Sequence, residues 1–261
     1  MKRNPKSSAA IASEMSGVAL GAGGVRHGSF WKELDSQGRA LLMERGRWRA
    51  YAPGEVIYYQ GGTGSDVVVL QAGYAKVVTQ VGDRQALVAI RCPGNVLGEN
   101  ETLQRGGTTI RPHTAQALAE RTIGLHIDAG VFRSFLDAHL PGWGALSREL
   151  SNQRSEAEIR IAGLAIDAAN RRLARALCTL LDHEAIRRDG AGPIMIELSQ
   201  GDLASWIGTS RETVERTLQS WRRRGIVSTG YRSITVRRSA ELYRIAGDSA
   251  GVGFASSGLA G

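Results

Sequence analysis

Arg211, Glu212 and Arg216 fall within one short stretch of the segment 199–238, SQGDLASWIGTSRETVERTLQSWRRRGIVSTGYRSITVRR. An arginine fork can grip guanine O6 and N7 bidentately, and a carboxylate can accept from cytosine N4. Side chains of these types, spaced by about one helical turn, have the chemistry to read base edges. A solvated helix face also carries charges, so the elements around the trio have to decide between the two readings.

Those elements are legible. Ser199 can cap a helix with Asp202 three residues on, which approximates a capping box. Leu203, Trp206 and Ile207 then share one apolar face. Gly208 suits the helix end, because glycine tolerates positive φ. Ser210 caps a second helix. There Val214, Leu218 and Trp221 form the inward stripe, leaving Arg211, Glu212, Glu215, Arg216, Gln219 and Arg222 on other faces. A ribbon over Ile226–Val236 follows. Helix, tight turn, basic helix and ribbon are the layout of a winged helix-turn-helix, which lays its second helix in the major groove. Ser199, Gln200, Thr209, Ser210, Thr213 and Arg232 complete the candidate DNA-contacting set.

The stretch Thr209-Ser210-Arg211-Glu212-Thr213-Val214-Glu215-Arg216 resembles the recognition helix of CRP/FNR-type bacterial transcription regulators. The resemblance spans about residues 29–245 and is most specific in this helix. It implies that Arg211, Glu212 and Arg216 read a TGTGA-like half-site. It also implies an α+β fold: an amino-terminal antiparallel β-roll of the cyclic-nucleotide-binding type, a long dimerisation helix, and a carboxy-terminal winged helix-turn-helix.

Upstream, short apolar runs broken by glycine follow one another from Trp48: EVIYY, DVVVLQAG, YAKVVTQV, QALVAI, CPGNVLGE, TAQALAE and TIGLHI. Their length and spacing indicate an antiparallel roll or barrel. Pro53-Gly54-Glu55, Gly61, Gly73, Pro93-Gly94 and Gly98-Glu99 resemble the marks of a cyclic-nucleotide-binding sensor domain. A helical pattern then runs from about Trp143 to Ile186. Leu146, Leu150, Gln153, Ala157, Arg160, Ile161, Leu164, Asp167 and Ala168 recur near a 3.5-residue period, with Gln153, Arg160 and Asp167 making a polar seam. The resemblance makes this helix the dimer contact; packing on its own sensor domain is the alternative. A two-fold dimer would set two recognition helices ~34 Å apart over a palindromic operator. The expected divisions are a disordered arm over 1–28, a sensor domain over 29–140, dimer helix and hinge over 141–186, a winged helix-turn-helix over 187–247, and a disordered tail over 248–261.

The sensor pocket departs from the family pattern. A cyclic phosphate needs exposed N–H groups and an arginine to neutralise it. Gly98-Glu99 opens the expected cassette. Downstream, His113-Thr114-Ala115 stands where cyclic-AMP-binding members have Arg-Ser-Ala, and the nearest arginine is Arg111, beyond a lengthened loop. The helix positions that would contact the base are Ala157 and Glu158, without a hydroxyl. A neutral histidine near pH 7 makes a poor clamp. Gly98, Glu99, Arg111, His113, Thr114, Ala115 and Glu158 are the candidate effector set. Three states fit them: cyclic AMP held by Arg111, a different anion, or an empty pocket. A cyclic nucleotide is the one cofactor the resemblance suggests.

The chain has 261 residues and a formal charge of +8, with 14 Lys and Arg against 9 Asp and Glu between Leu164 and Gly247. That balance favours a polyanionic partner. Two cysteines, Cys92 and Cys178, are too few for a cluster needing about four thiolates, and read as small buried hydrophobes. No paired histidines suggest a metal site. No stretch reaches the ~20 apolar residues of a membrane span, and the first residues lack a signal-peptide core, so a cytoplasmic location is expected. No Gly-x-Ser-x-Gly elbow, Walker loop or His-Glu-x-x-His occurs, so no enzyme is expected. The leading expectation is a homodimeric regulator of transcription whose partners are double-stranded DNA, its own twin and RNA polymerase. The alternative is a ligand sensor acting through protein contacts.

Overall fold

The computed structural model describes residue 8 and residues 28–103, 110–118, 122–182 and 194–247. Apart from residues 8 and 28, the expected arm over 1–28 lies outside the described residues, as do the tail over 248–261 and the break at 187–193. The chain forms two compact units, one reaching Arg160 and one built mainly from Ile161–Asp182 and the residues after Asp189.

In the first unit, α1 (Phe30–Glu33) and α2 (Ser36–Arg45) precede eight strands. These are β1 (Arg47–Tyr51), β2 (Val56–Tyr58), β3 (Asp66–Ala72), β4 (Ala75–Val81), β5 (Arg84–Arg91), β6 (Val96–Leu97), β7 (Thr114–Ala117) and β8 (Thr122–Asp128). They make two antiparallel sheets, ordered β1-β8-β3-β6 and β2-β7-β4-β5. The apolar runs seen in the sequence are these strands. Arg47 and Arg49 belong to β1.

The unbroken run Val67-Val68-Val69-Leu70 has a direct cause. Successive strand residues point to opposite faces. Val67 and Val69 enter a core with Phe30, Trp31, Leu125, Ile127, Phe132 and Leu146. Val68 and Leu70 enter a second core with Tyr51, Val77, Leu97, Ala115 and Ala117. Both faces of β3 are covered along Val67–Leu70, so this run is apolar on both.

A short α3 (Glu99–Leu103) follows β6, and α4 (Ala129–Ala138) is capped by Asp128, which accepts from the Gly130 and Val131 amides. Next comes α5 (Leu140–Ile166). The single helix expected from Trp143 to Ile186 is in fact two, with a break at Asp167-Ala168 before α6 (Ala169–Asp182). The break is held by charge. The buried Asp167 carboxylate pairs with Arg171 and Arg175, and its backbone oxygen accepts from Arg172 Nη1 at 2.5 Å.

The expected seam is also redistributed. Leu146 is buried in the sensor core with Leu150 against it, and Gln153 binds Arg91 and Glu149. That part of the seam therefore packs on its own domain, the alternative weighed above. Ile161 and Leu164 of the expected seam stay in solvent, and the other exposed residues of α5 include Asn152, Ser155, Ile159, Ala162 and Ile166, which repeat at three and four residues. Ile159 and Ile166 are 63% and 78% exposed.

The second unit adds β9 (Ile194–Ile196), α7 (Gln200–Ile207), α8 (Arg211–Arg223), β10 (Val227–Gly230), β11 (Ser233–Val236) and α9 (Ser239–Ala246). Its sheet runs β10-β11-β9. Val214, Leu218 and Trp221 are buried with Leu203, Ile207, Ile226 and Leu242, so α8 spends its apolar stripe inward as its period requires.

Candidate nucleic-acid interface and effector site

The turn between α7 and α8 is fixed from both ends. Ser199 and Asp202 form a complete capping box at the start of α7. Gly208 ends it at φ 62°, in the left-handed region that glycine enters without a Cβ clash. A Cβ there would also meet Leu164 Cδ2 at 2.8 Å. Ser210 accepts from the Thr213 amide at 3.2 Å and starts α8. One residue the sequence reading did not single out completes the turn. Arg172 on α6 donates from Nε to Ile207 O at 2.8 Å and from Nη2 to Gly208 O at 3.2 Å. Its guanidinium satisfies the last carbonyls of α7 and suits their negative end of the helix dipole. No local pattern in the sequence marks it, because the contact joins residues 35 apart.

The structure brings the trio together on one exposed face. Arg211, Glu212 and Arg216 all lie in solvent, opposite Val214, Leu218 and Trp221. The Glu212 carboxyl is held below the usual carboxylate range, first by the backbone amide at its helix start, then by Ser210, Arg211 and Arg216. It is therefore an ionised acceptor at neutral pH. Two adjoining clefts border this face. One is lined by Gln200, Glu212, Arg216, Arg222 and Thr229; the other by Ser199, Gln200, Arg211, Tyr231 and Arg232. Gln200, Glu215 and Thr229 line both; Gln200 belongs to the expected contact set, Glu215 and Thr229 do not.

The ribbon carries a further feature. Gly230 pairs with Ser233, leaving a two-residue tip. Tyr231 there is 94% exposed, and Arg232 has φ 50°, the one positive φ at a non-glycine residue among the described residues.

In the first unit Gly98, Glu99 and Arg111 converge. Arg111 and Glu99 are buried, and a Cβ on Gly98, whose φ is 80°, would lie 1.8 Å from Arg111 Nη1. Arg111 thus sits directly on the Gly98-Glu99 cassette despite its offset in sequence. Its backbone is pinned by Gly61 N to Arg111 O at 2.9 Å and Arg111 N to Gly62 O at 2.8 Å. Its guanidinium lies 4.3 Å over the Tyr58 ring and donates through Nη2 to Asp66 O at 2.5 Å and Asp66 Oδ1 at 3.1 Å.

His113 is half-buried, while Thr114 and Ala115 are strand residues of β7. Thr114 Oγ1 accepts from the Gln60 amide at 2.9 Å, and Ala115 is fully buried in the inter-sheet core. The structure does not place Glu158 with this group. Its carboxylate is exposed and accepts from Arg154 Nε at 2.8 Å, the ordinary i,i+4 pairing of a solvated helix face.

A β-roll module and a helix-turn-helix with a β-ribbon define a DNA-binding regulator with a sensor-type domain. The comparisons agree with that class. The cyclic nucleotide-binding domain model matches residues 48–139, and the Crp-like helix-turn-helix domain model matches residues 171–245. The cyclic AMP receptor protein of Thermus thermophilus is 30% identical over 227 residues, covering 84% of this chain and 95% of that protein. A CRP-family transcriptional regulator of the same organism has a solved structure that matches with TM-score 0.64 at 26% identity, covering 76% of this chain and 96% of that one. FixK2 from Bradyrhizobium japonicum shares the fold, with TM-score 0.64 at 22% identity over 77% of this chain and 96% of that one. The chain belongs to the CRP/FNR family of transcription regulators. Among the described residues no helix is long and apolar enough to cross a membrane.

Proposed function

We propose that this regulator reads a TGTGA-like palindrome as a homodimer, with Arg211, Glu212 and Arg216 of α8 at the base edges. The observation that carries the reading is the exposed face of α8, where two arginines flank a carboxylate held in its ionised form. Ser199, Gln200, Thr209, Ser210, Thr213 and Arg232 surround that face and supply phosphate and backbone contacts, which set register and affinity but not sequence. The exposed row Asn152, Ser155, Ile159, Ala162 and Ile166 on α5 supports self-association, because a 3-4 repeat keeps one stripe facing a twin helix. RNA polymerase is the partner through which a bound dimer acts on transcription. Gly98, Glu99, Arg111, His113, Thr114 and Ala115 form the effector site; Glu158 joins it only if a partner helix brings a second copy of that residue there.

Fluorescence anisotropy tests the reading with a TGTGA-type palindrome, a half-site and a scrambled duplex, each across a salt series. The expected result is tight binding to the palindrome alone, with Ile159→Glu reducing it to half-site affinity. Equal binding to the scrambled duplex at every salt concentration would sink the proposal.

A further inference from the structure

The sensor cassette already holds an anion, and the anion is part of the chain. We propose that the Asp66 carboxylate is the built-in ligand of Arg111, and that this closes the effector site to the phosphate of a cyclic nucleotide. The inference rests on the reading of Gly98–Arg111 as the effector site and goes beyond it by assigning the site's occupant.

The Arg111 guanidinium is enclosed on several sides. Asp66 accepts through its backbone oxygen and its carboxylate, Tyr58 covers one face, and Gly98 and Gly64 lie against the edges so closely that a Cβ at either would clash. The side chain is 2% exposed. A phosphate clamp must turn N–H donors toward an incoming oxygen. Here Nη2 is turned toward Asp66.

Asp66 is not a carboxylate that happens to lie nearby. Its second oxygen is bonded to His126 Nδ1, and His126 Nε2 is bonded to the Tyr51 hydroxyl. Tyr51, Asp66 and His126 stand on β1, β3 and β8, three adjacent strands of one sheet. The hydrogen bond from His126 does most to hold the Asp66 carboxyl below its usual range, opposed by burial and aided by the charges of His126, Arg111 and Arg47. A chain of three side chains rooted in a sheet thus keeps an ionised carboxylate aimed at Arg111. A phosphate arriving there would sit beside that fixed negative charge, and like charges at such range disfavour one another. Swinging Arg111 away would leave the carboxylate without its cation in a partly buried site.

The contrast with an open pocket is chemical. In an open pocket the arginine is neutralised only when the ligand arrives, so ligand binding carries regulatory information. With Asp66 in place, that neutralisation is permanent.

The test uses the full chain and two probes, cyclic AMP and inorganic phosphate, in isothermal titration calorimetry. Wild type is expected to give no saturable heat with either at millimolar concentration. Asp66→Asn, confirmed folded by circular dichroism, should gain saturable binding of cyclic AMP at least about tenfold tighter than wild type. Adding Arg111→Gln to that variant should abolish it. A folded Asp66→Asn that binds no better than wild type overturns the proposal, and so does wild-type binding that Asp66→Asn leaves unchanged. If the variant does not fold, the wild-type melting temperature decides. A ligand that binds only the native state must raise it, so a rise with cyclic AMP overturns the inference and a constant value supports it. Operator anisotropy on the same samples separates the two proposals. Loss of palindrome recognition removes the DNA reading and leaves the calorimetric result standing.

Discussion

At α8 two arginines and a carboxylate face water, while beneath Gly98 an arginine and a carboxylate face each other. The side-chain chemistry is the same and the use is opposite. Arg211 and Arg216 keep their donors for a partner; among the described residues neither is in an ion pair. Arg111 and Asp66 spend theirs on the interior. A charge pair in solvent contributes little to stability and is free to be exchanged for DNA. A buried pair is costly to separate, because removing one member strands the other. The difference teaches that the same pair of side chains is open to an outside partner only where the fold leaves its charges in solvent.

The largest effect expected from breaking this contrast is on stability. Asp66→Ala strands Arg111 and removes the acceptor of His126, and should cost about 3 kcal/mol in a urea melt of the full chain. A cost near zero would mean that the pair is as dispensable as a surface one.

A second buried carboxylate sharpens the same point. Glu149 on α5 accepts from the Phe30 amide at 2.6 Å, the Val96 amide at 2.9 Å and Gln153 Nε2 at 2.7 Å. Burial nonetheless pushes its pKa from 4.5 up to about 7, the hydrogen bonds from Val96 and Phe30 opposing and the nearby Glu99 adding. The folded value is raised, so the stability from this group is fully present below pH 4.5 and lost as pH rises through about 7. The loss should reach about 3 kcal/mol. Urea midpoints measured across that range should fall in wild type and lose the slope in Glu149→Gln. Glu212, exposed and lowered, should show no such slope when replaced.

At the open end, Arg216→Ala and Arg211→Ala should each cost ~1–3 kcal/mol of operator binding and relax one base position, with little change in melting temperature. Competition with single-base variants of the palindrome reads this directly; unchanged discrimination would move the reading surface elsewhere. Ser199→Ala removes the capping box of α7 and should cost about 1 kcal/mol of stability in a urea melt, with DNA affinity falling on every duplex alike because the lost contact is not to a base. The smallest effect concerns the ribbon tip. Arg232→Gly relieves a positive φ, so stability should hold or rise by about 0.5 kcal/mol. Affinity for any duplex should drop, and the salt slope should shrink by about 1. A drop in stability with unchanged affinity would make Arg232 structural.

The strands, the helix-turn-helix and the trio were legible because their signals are local. β3 announces itself as an unbroken apolar run, and α8 by a cap followed by an i, i+4, i+7 stripe. The seam of α5 was read less well. Period alone cannot tell which of two stripes faces its own domain, and Leu146 and Gln153 went to the sensor while Ile159 and Ile166 stayed outside. The break at Asp167 was missed because neither glycine nor proline marks it. It depends on two arginines reaching back from the next helix.

The sequence by itself determined the family, the order of the modules and the trio proposed to read DNA, since each is written in spacing along one helix or strand. Only the tertiary structure decided what becomes of Arg111. Its partners Tyr58, Asp66 and Gly98 come from separate elements, and Asp66 is aimed by His126 and Tyr51 from two more strands. A contact between residues 45 positions apart leaves no periodic trace in the chain, because it exists only once the two sheets have closed.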